Sequence, residues 1–109
     1  MLYWWARGVK ANRRRAFEWF WKAAWLGDAE ANTYVGMCFH DGVGVKKNFK
    51  RAFKHYRLAS EKDPYAQYCL GLCYRNGEGI KKNKRLVFSW LKKAAANGEK
   101  DAVQALKKI

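Results

Sequence analysis

The clearest candidate chemistry in this sequence is anion binding by lysine and arginine side chains. The chain carries 23 basic residues against nine acidic ones, which gives a net charge of +14. Such a balance favours acidic partners, although a charged edge that serves solubility alone is the alternative. More than half of the basic residues stand in three clusters of similar sequence. The basic ridge that we predict from these clusters consists of Arg13, Arg14, Arg15, Lys46, Lys47, Lys50, Lys81, Lys82 and Lys84.

The histidines and cysteines form no catalytic or metal-binding pattern. His40 and His55 belong to different predicted helices, without the serine, cysteine or carboxylate spacing of a triad or a metal site. Cys38, Cys69 and Cys73 form no CxxC motif, and their odd number argues against a disulfide framework. We therefore expect a non-enzymatic protein with no cofactor and no metal, in which the thiols are small buried side chains.

The chain of 109 residues has the length of one domain. Its apolar opening is interrupted at Arg7 and is too short for a signal peptide. No run approaches the roughly 20 apolar residues that a membrane span needs. Together with the unpaired cysteines, these features predict a reduced, cytoplasmic location.

The basic clusters recur because the sequence contains an internal repeat. The stretch Val35–Asn48 returns 35 residues later as Leu70–Asn83, with glycines and lysines at matching positions. A truncated third copy stands near the N-terminus, where Gly8–Asn12 matches Gly44–Asn48. Repeats of this length are units that bury a continuous core only when they stack on one another.

Each complete copy is predicted to form a helix, a basic loop and a second helix. Apolar residues recur at spacings of three and four in both helices, as one buried helical face requires. Gly36 and Gly71 interrupt the first helices, which predicts a close approach by a neighbouring helix. The loop glycines are predicted to end the first helices, and Asn12, Asn48 and Asn83 to cap the second ones.

These motifs resemble the Sel-one-like repeat, a relative of the tetratricopeptide repeat. The resemblance rests on Gly36, Gly42, Gly44 and Ala52 in one copy, and on Gly71, Gly77, Gly79 and the Lys93–Ala95 run in the next. It implies an all-α fold, an α/α solenoid with a right-handed superhelix of about three repeats, the first of them truncated. The implied units are residues 1–28, 29–63 and 64–98 of a single domain, followed by a closing helix over 99–109.

The resemblance also implies a function, that of a scaffold whose concave face, lined by the first helices, grips a partner. Carried over by position, the groove-facing sites are Glu30, Thr33, Met37 and His40 in the second unit and Tyr65, Tyr68, Leu72 and Arg75 in the third. At each site an ordinary exposed side chain is the alternative. We therefore expect a protein-interaction adaptor for a partner with an acidic surface or peptide. The alternative is a binder of nucleic acid or of another anionic surface through the basic ridge.

Tryptophan is unusually placed in the first unit. Trp19 and Trp90 align with the core aromatic position of the repeat. Four others align with positions that are mostly polar in the other units, and an aromatic patch of this kind predicts a covered surface. The expected cover is a neighbouring copy, a partner protein or the missing half of the first unit, and we predict self-association through it. The alternative is that the truncated first helix folds back over these rings. The patch consists of Trp4, Trp5, Trp21 and Trp25.

Overall fold

The computed structural model describes the backbone of residues 10–108 and the side chains of residues 12–108, and within them it is entirely helical apart from the loops. This confirms the all-α prediction. Each helix packs against the next one along the chain, as in a stack of helical hairpins. The helices are α1 (Lys10–Trp25), α2 (Ala29–Asp41), α3 (Phe49–Ala59), α4 (Pro64–Asn76), α5 (Lys84–Ala96) and α6 (Lys100–Lys107).

The two helical glycines lie where helices of one unit touch, as predicted. A Cβ atom added to Gly36 would come 2.6 Å from the ring of Tyr56 on α3. At Gly71 it would come 2.8 Å from a methyl group of Leu91 on α5. Both distances are shorter than van der Waals contact, so only glycine allows these pairs of helices to pack this closely.

Polar caps fix the starts of the helices. Asn48 accepts the Arg51 backbone N–H at 3.0 Å at the start of α3, and Asn83 caps α5 in the same way. These two caps were predicted, but the prediction for Asn12 is wrong, because α1 begins at Lys10 and Asn12 lies inside its first turn. Ala11 stands where the second unit has a lysine and has the highest helix propensity, which favours an earlier start of the helix.

The loops between first and second helices lock successive units together. Gly44 and Gly79 have φ of 72° and 79°, in the left-handed region. Each lies against the start of the second helix of the preceding unit, next to the carbonyl oxygens of Arg13 and Phe49 respectively. The basic loops are therefore packed parts of the stack.

The core runs along the stack between first and second helices. Val35, Leu70 and Leu91 are fully buried within it. Trp19, predicted as a core residue, is instead 73% exposed. The next residue, Phe20, stacks on Tyr34 of α2 at 4.7 Å between ring centroids. One residue rotates the side-chain direction by about 100°, so the inward position of Phe20 turns Trp19 outward.

The three cysteines are buried and unpaired, and we call them the buried thiols. Burial raises the pKa of Cys38 and of Cys73 to about 12, and it raises the pKa of Cys69 well above its ordinary value. The thiols are therefore protonated at neutral pH and act as small apolar side chains.

Candidate partner-binding cleft and basic ridge

A cleft of about 240 Å³ opens between α2 and α4, the first helices of the second and third units. Its floor includes the buried thiols of Cys69 and Cys73, and its walls carry aromatic and polar side chains. Five of the eight predicted groove residues line it, namely Met37, His40, Tyr65, Tyr68 and Leu72. The repeat register thus brings these positions of two successive units to one cavity.

The other three predicted groove residues lie elsewhere. Glu30 and Arg75 are exposed and do not line the cleft. Thr33 is buried, with 2% of its surface exposed. Its hydroxyl donates to the Asp63 carboxylate at 2.6 Å, and Asp63 also caps α4. Thr33 therefore ties α2 to the start of α4, the first helix of the next unit.

Three polar residues of the cleft were missed by the sequence reasoning: Asp41, Asn76 and Glu78. Asp41 and Asn76 end the first helices, and Glu78 lies between the two glycines of the following loop. Asp41 and Asn76 occupy the same position in successive repeats, and this match could have marked them as candidate cleft residues. The Asp41 side chain contacts His40, and the Asn76 side chain contacts Arg75 and Glu78, which the sequence pattern alone does not specify.

His40 bridges two units at one end of the cleft. Its Nδ1 lies 2.7 Å from the Asp41 carboxylate and its Nε2 lies 3.0 Å from the Glu78 carboxylate. Partial burial is the largest single influence on the pKa of His40 and lowers it, but the hydrogen bonds and charges of these two carboxylates together outweigh burial. The net pKa is therefore raised. The protonated ring donates to both carboxylates at once and so joins α2 to the loop of the third unit.

Two tyrosines form the apolar side of the cleft. The rings of Tyr65 and Tyr68 lie 5.5 Å apart between centroids. Burial raises the pKa of both hydroxyls, and the negative charges of Asp101 and Glu99 raise it further. Both hydroxyls remain protonated at neutral pH, so this end of the cleft offers ring faces and hydrogen-bond donors. Such a surface suits a polar or aromatic side chain of a peptide.

The predicted basic ridge lies on the loops that precede α3 and α5, on the first two turns of α1 and on the first turns of α3 and α5. All of its side chains are exposed except that of Arg13, which is half-buried. Neither α3 nor α5 has an acidic residue in its first turn, and both are capped by a neutral asparagine. Cations at a helix N-terminus lie beside the positive end of the helix dipole, so the ridge is strongly electropositive.

The predicted aromatic patch is described only in part, because Trp4 and Trp5 lie outside the described residues. Trp21 is half-buried and packs edge-on against His55 of α3 at 5.5 Å and against Phe39 at 6.4 Å. Trp25, one turn further along α1, is 77% exposed. The structure therefore brings these two tryptophans to the side of α1 that faces α3.

The described residues hold neither a cluster suited to a metal ion nor a helix suited to a membrane. Within residues 10–108, no three histidine, cysteine or carboxylate side chains gather closely enough to hold a metal ion. In the same part of the chain, no helix combines the length and apolar character needed to cross a membrane.

Comparison with known proteins gives consistent matches. A family model described as Sel1 repeat matches residues 1–28, 29–63 and 64–99. A Sel1 repeat protein from Oxalobacter formigenes superposes with a TM-score of 0.78 at 32% identity, over 84% of this chain and 27% of the other. A protective antigen of uropathogenic Escherichia coli strains with an SLR fold superposes with a TM-score of 0.86 at 30% identity, over 94% and 23% of the two chains.

A match to a curated protein is shorter. The DAP3-binding cell death enhancer 1 of Rattus norvegicus is 33% identical over 49 residues, which are 45% of this chain. This chain spans only 10% of the length of that relative.

Proposed function

The chain belongs to the Sel1 repeat family, whose members are generally protein–protein interaction scaffolds, and from this we propose a non-enzymatic scaffold that binds a partner protein in the cleft between α2 and α4. One observation carries the proposal: five groove positions inferred from the repeat line one open cleft. The cleft offers apolar ring faces beside hydrogen-bonding groups, the mixture that peptide-binding sites use.

The chemistry of the partner forms a further part of the proposal. The charged groups of the cleft itself are His40 and its two carboxylates, so the preference for an acidic partner comes from the basic ridge. We propose that the partner places a short segment in the cleft and acidic residues along the ridge. The unpaired buried thiols fit a cytoplasmic setting, which we include in the proposal.

The relative named for DAP3 binding supports the class of partner only. Its name describes a protein–protein contact, and the matched 49 residues belong to a much longer chain. We propose a protein partner for the present chain without assigning its identity.

The proposal is tested by affinity capture from a nuclease-treated lysate at moderate salt. The cleft variant is Leu72→Glu, which places a charge in a half-buried site on the cleft wall. The ridge variant replaces Lys46, Lys47, Lys81 and Lys82 by Gln. A matched control replaces four exposed lysines elsewhere by Gln, namely Lys62, Lys100, Lys107 and Lys108.

If the partner binds in the cleft, the wild type and the control should both capture a discrete protein. The ridge variant should recover less of it, and the cleft variant should recover none. Circular dichroism establishes that each variant folds. If the folded cleft variant captures the partner as well as the wild type does, the proposed cleft is wrong.

Binding of nucleic acid or of another anionic surface through the ridge is the second candidate. The observation in its favour is the exposure of the ridge cations beside helix N-termini that carry no acidic residue. Such binding weakens steeply with salt in proportion to the phosphates neutralised. Equal loss of a captured nucleic acid in the ridge variant and in the control would mean that general charge, and not the ridge, is responsible.

A further inference from the structure

A second groove runs between α1 and α3, the second helices of the first two units. Two adjacent depressions of about 320 and 290 Å³ form it, and both are lined by Trp21. Phe17, Trp21 and Trp25 follow one another at intervals of one helical turn along the α1 wall. The α3 wall presents His55 and Leu58, which also lie about one helical turn apart.

The apolar lining of this groove is a departure from the repeat. Trp21 and Trp25 stand where the next unit has Arg57 and Glu61. Trp25 is 77% exposed, and Leu58 on the facing wall is 58% exposed. Large apolar side chains that face each other across an open groove indicate a surface that another molecule covers.

The rim of the groove is positively charged. Lys22, Arg51 and Lys54 are exposed around the two depressions. Glu18, an acid on the same wall, pairs with Arg14 at 3.6 Å. The cations also act on His55, whose pKa is lowered first by burial and then by the charges of Lys54 and Arg51. An occupant that complements this rim carries carboxylates beside its apolar side chains.

We propose that the α1–α3 groove is a second binding surface, separate from the cleft, and that it takes an acidic amphipathic helix of a partner protein. The two depressions share Trp21 and lie about one helical turn, or about 6 Å, apart along α1. Two apolar side chains at positions i and i+4 of the partner helix fit this separation. Glutamate or aspartate beside them meets the three rim cations.

The test uses a labelled helical peptide with leucines at i and i+4 flanked by glutamates. One control peptide carries lysine in place of glutamate, and another has the same composition with its leucines on different faces. Fluorescence anisotropy should detect binding of the first peptide and binding at least about tenfold weaker for both controls. Absence of binding by the acidic peptide, or equal binding of the three peptides, would overturn the proposal.

Protein variants locate the binding site. Trp25→Ala and Leu58→Ala change exposed side chains, and each should lower the affinity for the acidic peptide by about tenfold. Trp19→Ala changes another exposed tryptophan of α1 that does not line the groove, and it should leave affinity unchanged. Leu72→Glu in the cleft should also have no effect, which separates this groove from the proposed function. Equal losses with Trp19→Ala and Trp25→Ala would refute the assignment.

Two other occupants are outcomes of the same experiment. Sedimentation that shows a dimer, lost in Trp25→Ala, would assign the groove to a second copy of the chain. Peptide binding by a Trp4→Ala/Trp5→Ala variant, with none by the wild type, would assign it to the chain's own N-terminal residues. Either result would overturn the proposal of a partner helix.

Discussion

Replacing one glycine in the third-unit loop tests how the units are locked together. Gly77 and Gly79 belong to the same loop and have φ of 70° and 79°. Alanine at either position therefore adopts a left-handed conformation that costs about 1–2 kcal/mol. The two positions differ in their surroundings, which makes one substitution the control for the other.

The difference in cost follows from the contacts of the added methyl group. At Gly77 it would meet the flexible side chain of Lys82, with a nearest distance of 3.0 Å. At Gly79 it would collide with the carbonyl oxygen of Phe49 and lie 3.0 Å from the Cβ atom of Phe53. Backbone cannot move aside without shifting the unit, so we expect a further cost of about 1–3 kcal/mol for Gly79→Ala.

The assay is urea denaturation followed by circular dichroism. With a denaturant dependence of about 2 kcal/mol per molar urea, an extra cost of about 2 kcal/mol lowers the unfolding midpoint by about 1 M relative to Gly77→Ala. Gly44→Ala and Gly42→Ala repeat the comparison in the second unit, because Gly44 meets the Arg13 carbonyl and Gly42 does not. Equal midpoints within each pair would refute the view that these loops lock the stack.

Three other predictions concern His40, Thr33 and the buried thiols. Because the fold raises the pKa of His40, its protonated form stabilises the native state fully below about pH 6.5, and this contribution is lost as the pH rises through the folded pKa. Urea denaturation at several pH values should therefore show that the unfolding free energies of wild type and His40→Gln differ less as the pH increases. A difference that does not change with pH would contradict the bridge to Glu78. Thr33→Val should lower the unfolding free energy by about 1.5–3 kcal/mol, since it removes the hydrogen bond to the Asp63 carboxylate; an unchanged midpoint in urea would show that this bond contributes nothing. The buried thiols should react with a thiolate-specific disulfide reagent only after unfolding in urea, and rapid labelling of the native protein at neutral pH would disprove their burial.

The repeat pattern predicted the architecture because its signals are local. Glycine at a helix end and asparagine at a helix start act through backbone groups a few residues away, so Gly77 and Asn83 could be assigned from sequence alone. Gly36 and Gly71 were informative for a similar reason. A glycine that recurs inside a helix has a local cost, and close packing with a neighbouring helix is what offsets it.

The errors come from helix phase and from contacts between units. Trp19 and Phe20 are adjacent, and which of them faces inward depends on a rotation that a stripe of several aromatic residues leaves undetermined. Thr33 was predicted to face the groove from its position in the repeat, yet its hydroxyl donates to a carboxylate 30 residues away. The contact between His40 and Glu78 spans 38 residues. Contacts of this range depend on how the units stack, which the spacing within one unit does not determine.

The loop of the third unit takes part in the packing of the stack, in the cleft and in the basic ridge. Gly79 holds the loop against α3, and Glu78 holds it against His40 at the end of the cleft. Lys81 and Lys82 of the basic ridge follow directly in the same loop. A change that moves this loop must therefore alter the stack, the cleft and the ridge together. Gly79→Ala should accordingly return the pKa of His40 toward its ordinary value, which proton resonances of the ring measured against pH can follow, whereas Gly77→Ala should leave it raised.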